Sequence, residues 1–394
     1  MTTDPIVIVA AKRTPLGGLM GDLAGLSASD MGAAAITAAV TAAGLAPEDP
    51  DTVLMGCVLG AGQGQAPARQ AALKAGLSLG TVCTTLNKMC GSGMQALMLA
   101  HDQILAGSAS IIVAGGMESM SNAPYLLAKA RGGFRMGHGE IKDHMFLDGL
   151  EDVYDTGRLM GTFAEDCAET YGFGREEQDA FALASLSRAL AAEEKGISAA
   201  EIVQIEARSG RESRQITRDQ QPSQSRPEKI PSLRPAFRQG GTVTAANSSS
   251  ISDGAAALVV MRQSEAARRG LIPMAYIRSH ASVAQEPGLF PSAPVPAIRR
   301  LLDRCGWDMA SVDLFEVNEA FAVVPMVAMR ELNIPHERIN VLGGACALGH
   351  PIGASGARIV VTLLNALQKR GGRRGVAAIC IGGGEATAVA VELI

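Results

Sequence analysis

Short β-branched runs alternate with long Ala-rich stretches along the chain. Residues 6–11, 110–114, 256–260 and 376–381 predict strands, and residues 29–43, 94–106, 175–194 and 357–369 predict helices. That alternation predicts an α/β fold with helix-covered sheets. Fixed-offset matches then sort the elements into two copies. Gly44 and Asp51 recur as Gly306 and Asp313, and Ser92-Gly93 at one helix head recurs as Ser355-Gly356 at another. Gly116-Met117-Glu118 is matched to Gly383-Gly384-Glu385. The order of elements is the same in both copies, so a duplicated α/β unit is expected. Residues 121–245 have no counterpart in the second copy. They hold a Gly-rich stretch, the long helix 175–194 and a polar basic loop.

The composition narrows the class. Hydrophobic residues make up 47% of the 394 and charged residues 19%, enough for a sizeable core. The net charge of −4 argues against a dedicated nucleic-acid binder. No window approaches about 18 unbroken apolar residues, so no membrane span is expected. Asp4 precedes the first apolar run, and Lys12 and Arg13 follow it, the wrong order for a secretory signal. The protein therefore reads as cytoplasmic. The seven cysteines are widely spaced without a CxxC, which argues against a disulfide framework, a structural zinc site or any other metal site. Between Glu206 and Gln239, eight basic residues (Arg208, Arg211, Arg214, Arg218, Arg226, Lys229, Arg234, Arg238) face four acids. Such a loop is either a solvated face or a recognition surface for a phosphorylated small molecule.

Candidate chemistry lies at the helix heads. Cys90, in Asn87-Lys88-Met89-Cys90-Gly91-Ser92-Gly93, precedes an apolar helix whose N-terminal dipole favours a thiolate. The glycines are expected to shape a sharp turn that leaves the sulfur reachable. A nucleophilic Cys wants a base. His101 falls in a helix, and His138, His144, His280 and His336 fall near polar loops. His350, in Gly349-His350-Pro351, precedes the helix that duplicates the Cys90 helix. Pseudo-symmetry would bring the two heads together. Cys380 precedes Ile381-Gly382-Gly383-Gly384, whose bare backbone N–H groups can act as an oxyanion hole. Asn318, in Val317-Asn318-Glu319-Ala320-Phe321, follows a strand and can hold a water or a carbonyl oxygen. Cys346 reads as packing.

Taken together, residues 87–93, 318–321, 343–356 and 380–384 resemble the thiolase family, and within it the short-chain acetyl-CoA acetyltransferases. The resemblance runs from residue 6 to 392. It implies duplicated halves forming a layered α-β-α-β-α core: residues 1–120 with 246–272, then 273–394, with an inserted loop domain at 121–245 covering CoA. It implies an acetyl-CoA C-acetyltransferase: a reversible, ping-pong Claisen condensation of two acetyl-CoA through an acetyl-Cys90 intermediate. His350 would activate Cys90, and Cys380 would be the acid/base. His350 and a water held by Asn318 would bind the enolate oxygen, and the N–H groups of Cys90 and Gly382 the tetrahedral oxyanion. Leu150, Met160, Phe237, Ala245, Ser249 and Phe321 would line the pantetheine channel, and Arg226 with its loop would meet the nucleotide phosphates. The resemblance implies CoA thioesters as substrates, no tightly bound cofactor, and a homotetramer (a dimer of dimers) joined through the hairpin at 134–147.

Three positions bear on specificity. Leu159 stands where many bacterial biosynthetic members have His. Phe290-Pro291 resembles the mitochondrial type, which also accepts a 2-methyl branch. Leu186 stands where the potassium-responsive members have Tyr. The main alternative is a broader-range 3-ketoacyl-CoA thiolase of fatty-acid or aromatic-acid degradation; a ketoacyl synthase would need His or Asn in place of Cys380. A non-enzymatic acyl or lipid carrier has no reason to keep Cys90, His350 and Cys380 together.

Overall fold

Strands covered on both faces read as unbroken apolar runs, and the sheet of this protein is built from such runs. The computed structural model describes residues 4–209 and 212–394. The N-terminal copy contains β1 (Ile6–Arg13), α1 (Ala28–Ala42), β2 (Thr52–Gly56), α2 (Pro67–Lys74), β3 (Val82–Leu86), α3 (Ser92–Leu105) and β4 (Ile111–Ser119). Next come α4 (Met160–Tyr171), α5 (Arg175–Glu194) and the hairpin β5 (Ile205–Ser209) and β6 (Glu212–Ile216). β7 (Ser252–Arg262) returns to the first copy. The second copy holds β8 (Ala275–Ala284), α6 (Pro294–Cys305), β9 (Leu314–Val317), α7 (Val323–Leu332), α8 (Ile352–Arg370), β10 (Arg374–Ile381) and β11 (Glu385–Leu393).

The main sheet runs β9-β10-β11-β8-β1-β7-β4-β2-β3. Its halves repeat one pattern: the pairs β2/β4 and β9/β10 are parallel, and β4/β7/β1 and β10/β11/β8 are antiparallel. Among the described residues the two halves join at two paired positions, Val7 with Tyr276 and Ile8 with Ala275. α3 and α8 pack against each other and touch both halves, α1 and α2 cover the outer face of one, and α6 and α7 that of the other. The result is the five-layer α-β-α-β-α arrangement. Three cores fill it, one between the halves and one under each outer helix pair.

The duplication shows in hydrogen bonds. Asp51 accepts from the N–H groups of Ser110 (2.7 Å) and Ile111 (2.9 Å), and Asp313 from those of Arg373 (2.7 Å) and Arg374 (2.8 Å). Gly44 and Gly306 both cap their helices at positive φ, 68° and 62°. The third sequence match is corrected. Gly116, Met117 and Glu118 lie inside β4, whereas Gly383 and Gly384 form the turn between β10 and β11. The Asp51 and Asp313 contacts align Ile111 with Arg374, so Gly116–Glu118 correspond to Ile379–Ile381 inside β10, and the match to Gly383–Glu385 is out of register.

Strand and helix ends also extend beyond the sequence reading. β4 runs through Gly115-Gly116 to Ser119, and α8 begins at Ile352, ahead of Gly353 and Gly356. These glycines look like breakers but are sites of close approach. A Cβ on Gly116 would lie 2.0 Å from the Gly353 carbonyl oxygen, and one on Gly356 would lie 2.4 Å from Met94 N.

The inserted segment is tied to the first strand by a buried cation. Arg13 reaches Glu201 at 2.6 Å and Asp219 at 2.7 and 2.9 Å. In the basic loop, Arg214 pairs with Asp22, Arg218 with Glu193 (3.3 Å), and Arg238 with Asp166 and Glu169. Arg211 lies outside the described residues. Tyr125–Leu126 pairs with Lys142–Asp143, and the stretch between them exposes Phe134, Met136 and Ile141. Among the described residues no helix is long and apolar enough to cross a membrane.

The helix contact yields a test. Gly356→Val should destabilise the fold by about 1–3 kcal/mol through overpacking, whereas Gly132→Ala, with nothing within 4 Å of its Cβ, should be near neutral. Thermal unfolding of the two variants against wild type checks the contrast.

Candidate active site

The turn before α3 owes its shape to Met89, whose φ is +46°, rather than to a glycine. That strained position is held locally. Met89 N–H donates to Asn87 Oδ1 (2.9 Å), Ser92 Oγ donates to Met89 O (2.6 Å), and Lys88 N–H donates to Ser92 Oγ (2.8 Å). Gly91 has φ −81° and is needed for space, since its Cβ would meet Ile381 at 2.4 Å. Lys88 pairs with Glu385, joining this turn to the glycine turn after β10.

His350 sits just before α8, buried. Its Nδ1 lies 2.6 Å from Ser355 Oγ, and that hydroxyl donates to Pro351 O at 3.0 Å. The Ser355 proton is thus committed, so Nδ1 carries the hydrogen and Nε2 keeps its lone pair. Nε2 has no protein partner among the described residues. Cys380 is the next-to-last residue of β10, fully buried, and Gly382 follows the strand's last residue, Ile381. Asn318 caps β9; its N–H donates to Ala378 O (3.0 Å), and both amide atoms of its buried side chain lack a protein partner among the described residues.

Two buried carboxylates hold these loops, and the sequence reading passed over both. Glu118, from β4, accepts from Val58 N (3.0 Å), Leu59 N (3.1 Å) and Gly353 N (2.8 Å). Glu319 accepts from Ser185 Oγ (2.7 Å), Asn340 Nδ2 (2.8 Å) and Cys346 N (3.0 Å). Ser185 Oγ in turn accepts from Gly344 N at 2.9 Å. Glu319 thereby fastens the turn after β9 and the loop before His350 to α5 of the insert. Its place directly after Asn318 was the available signal.

Cys90, His350, Cys380 and Gly382 line one cavity of about 360 Å³. Leu150, Met160, Phe237, Ala245, Ser249, Phe290 and Phe321 line it too, as do Leu159, Met89 and Phe146. The aromatic wall interlocks: Phe237 meets Phe321 edge-on at 5.9 Å, and Phe321 lies 6.4 Å from Phe290. Asn318 and Arg226 are outside the lining; Asn318 is buried behind it, and Arg226 is exposed on the insert. Leu186 is buried with Leu16, Ala189, Ala347 and Leu348.

Comparison with known proteins agrees over the whole chain. The thiolase N-terminal domain model matches residues 6–264 and the thiolase C-terminal domain model residues 271–393. The chain belongs to the thiolase family. The acetyl-CoA acetyltransferase of Escherichia coli is 49% identical over 389 residues, 98% of each chain. Acetyl-CoA acetyltransferase 2 of Arabidopsis thaliana is 48% identical over 393 residues, 99% of this chain and 97% of that protein. The crystal structure of the Bacillus anthracis acetyl-CoA acetyltransferase matches with a TM-score of 0.96 at 38% identity, covering 99% of both chains. That of Acat5 thiolase from Ascaris suum in complex with coenzyme A matches at 0.93 and 39% identity, covering 99% of this chain and 100% of that one.

The resting protonation of this thiolase differs from the low thiol pKa that the helix head suggested. Burial pushes Cys90 up to about 11, with the Glu118 charge adding to the rise. The N–H groups of Gly382 and of Cys90 itself pull the other way. Burial, and then the Arg358 charge, push His350 down to about 3. At neutral pH the pair is therefore thiol and neutral imidazole. Desolvation outweighs the dipole because a thiolate in this apolar cavity forfeits its hydration.

Carbamidomethylation of Cys90 should accordingly climb with pH toward about 11. Pulsed iodoacetamide labelling with mass mapping checks this, and a plateau at neutral pH would indicate a thiolate–imidazolium pair instead. The His350 contribution to stability has the opposite sign. It is complete above the ordinary 6.5 and is lost as pH falls toward about 3. Acid-induced loss of Tm should be shallower in His350→Asn.

Proposed function

We propose that this thiolase is an acetyl-CoA C-acetyltransferase, catalysing the reversible condensation of two acetyl-CoA to acetoacetyl-CoA and CoA. The observation that carries the reading is one apolar cavity with two thiols, one imidazole and backbone N–H donors on its wall. The names of the full-length relatives support it.

In this reading, acetyl-CoA enters and His350 Nε2 takes the Cys90 proton as sulfur attacks the thioester carbonyl. The N–H groups of Cys90 and Gly382 receive the oxyanion, and the departing CoA thiolate takes the proton from His350, which is left neutral. Acetyl-Cys90 is neutral. Burial first, and then the Cys90 and Cys167 charges, raise the Cys380 thiol, and acetylation keeps Cys90 uncharged through the step in which Cys380 must lose its proton. Cys380 passes its proton to His350 Nε2 and, as thiolate, removes the α-proton of the second acetyl-CoA, while protonated His350 and a water held by Asn318 stabilise the enolate oxygen. The carbanion attacks the acetyl carbonyl, the C–S bond to Cys90 breaks, and the Cys90 thiolate takes the proton back from His350. The residues supply nucleophile, base and oxyanion donors, so the reading assigns no resident cofactor. Phe237 and Phe321 are read as pantetheine contacts, and Phe290, packed beside Phe321, as the residue that narrows the acyl end and favours short chains over the broad-range alternative. Exposed Arg226 and its loop are read as the contact for the nucleotide phosphates. The halves and insert keep the boundaries 1–120 with 246–272, 121–245 and 273–394. The apolar hairpin at 134–147 supports a homotetramer, and a cytoplasmic location completes the reading.

Thiolysis by the purified protein, with acetoacetyl-CoA, 2-methylacetoacetyl-CoA and longer 3-ketoacyl-CoAs, is the test. Turnover confined to the first two is expected. Efficient cleavage of long chains would move the protein to the degradative class, and no turnover would return it to the carrier reading. Cys90→Ala should lose covalent acetylation by acetyl-CoA in intact-mass spectra. Cys380→Ser should still acetylate yet lose condensation by roughly 10²-fold or more, the scale of a lost acid/base.

A further inference from the structure

Away from the cavity, the far end of α3 carries His101 and Asp102, and β8 carries His280. His280 lies in a strand, not the polar loop the sequence suggested. A bulge between Ile277 and Ser279 decides where it points. Ala275 and Ile277, before the bulge, face the central core, whereas Ala281 and Val283, after it, face the outer one. The bulge thus exchanges the faces of β8 and turns His280 inward toward α3.

Three donor atoms meet there. Asp102 Oδ1 lies 3.0 Å from His101 Nδ1 and 2.8 Å from His280 Nε2, and all three lie within 4.8 Å of one another. The imidazoles stand edge to face with centroids 5.1 Å apart. Both are half-buried, while Asp102 is exposed and leaves a route from solvent. Arg304 approaches, but its guanidinium donates to the backbone oxygen of His280 (2.7 Å), away from the ring nitrogens.

The duplicated half lacks this chemistry. A matching bulge interrupts β1 between Ile8 and Ala10, so Ala11 corresponds to His280. At the α3-to-α8 offset set by Ser92 and Ser355, Leu364 and Asn365 correspond to His101 and Asp102. The fold alone therefore does not require two imidazoles and a carboxylate here.

We propose that His101 Nδ1, Asp102 Oδ1 and His280 Nε2 bind one divalent transition-metal ion of the zinc class, clamping the end of α3 to the opposite half. Two imidazoles and one carboxylate suit such borderline ions. Bond lengths of about 2.0–2.2 Å place tetrahedral ligands roughly 3.3 Å apart, so the two Asp102 contacts need to open by only a few tenths of an ångström. One coordination position stays with water. The site lies eleven residues along from Cys90, about 16 Å by helical rise, so it acts on stability rather than on the chemical step.

Co²⁺ titration of the metal-stripped full-length protein, followed by visible d–d absorption, tests this. One equivalent should bind with a nitrogen–oxygen spectrum that lacks thiolate charge transfer, and Zn²⁺ should displace it and raise Tm. His101→Ala and His280→Ala should each abolish the band. Asp102→Asn, which keeps the shape, should weaken binding by more than the roughly 10–100-fold that a supporting group costs. Cobalt held by cysteines would survive in all three variants and show charge transfer. Bands unchanged in the His variants, or no cobalt taken up, would overturn the site. If an Ala variant unfolds, His101→Gln retains a hydrogen-bonding side chain and is expected to lose the band equally.

Discussion

The rest of the molecule depends on the close approach of α3 and α8. Two helices that touch at Gly93 and Gly356 cannot hold side chains at the crossing, and their heads are drawn together as a consequence. One head carries Cys90 and the other His350. Each helix belongs to one copy and touches both halves of the sheet, so the cavity wall lies where the two copies of the fold meet. Among the described residues the sheet itself joins the halves at two residue pairs. The helix contact therefore has more to do with holding the halves in register than the strands do.

Around that contact, buried charge replaces the flexibility that glycine-rich turns would otherwise have. Glu118 gathers three backbone N–H groups from two loops, and Glu319 gathers a hydroxyl, an amide and a backbone N–H. Burial raises the pKa of both carboxyls, and the donors oppose that rise. A carboxylate so placed fixes several loop positions at once, because each donor left unpaired would cost about 1–3 kcal/mol. The same desolvation sets the resting state of the reactive groups. It keeps Cys90 protonated and His350 neutral until substrate arrives, and it weighs more heavily on Cys380, deeper in the wall.

Much of this was legible along the chain. The strand and helix alternation, the offsets of Gly44, Asp51, Ser92 and Gly93, and the four motif blocks identified fold and family, because a duplicated unit must reuse its caps and turns. Other features were hidden. Gly115, Gly116, Gly353 and Gly356 read as breakers because a close approach by a distant backbone leaves no local mark. The third offset match failed for the same reason, since glycine fits both a turn and a crowded strand. Glu118 and Glu319 were passed over because a buried anchor is distinguished by its distant donors.

The sequence by itself determined which chemistry was available: a thiol at a helix head, an imidazole at its duplicate, and a second thiol before glycines. Local propensity and spacing suffice for that, since they act over a few residues. Only the tertiary structure decided how those groups are poised. The thiol is raised rather than lowered, Met89 rather than a glycine takes the strained turn, and a one-residue bulge turns His280 toward His101. Desolvation and side-chain direction are set by what packs from elsewhere in the chain, and linear order does not carry that information.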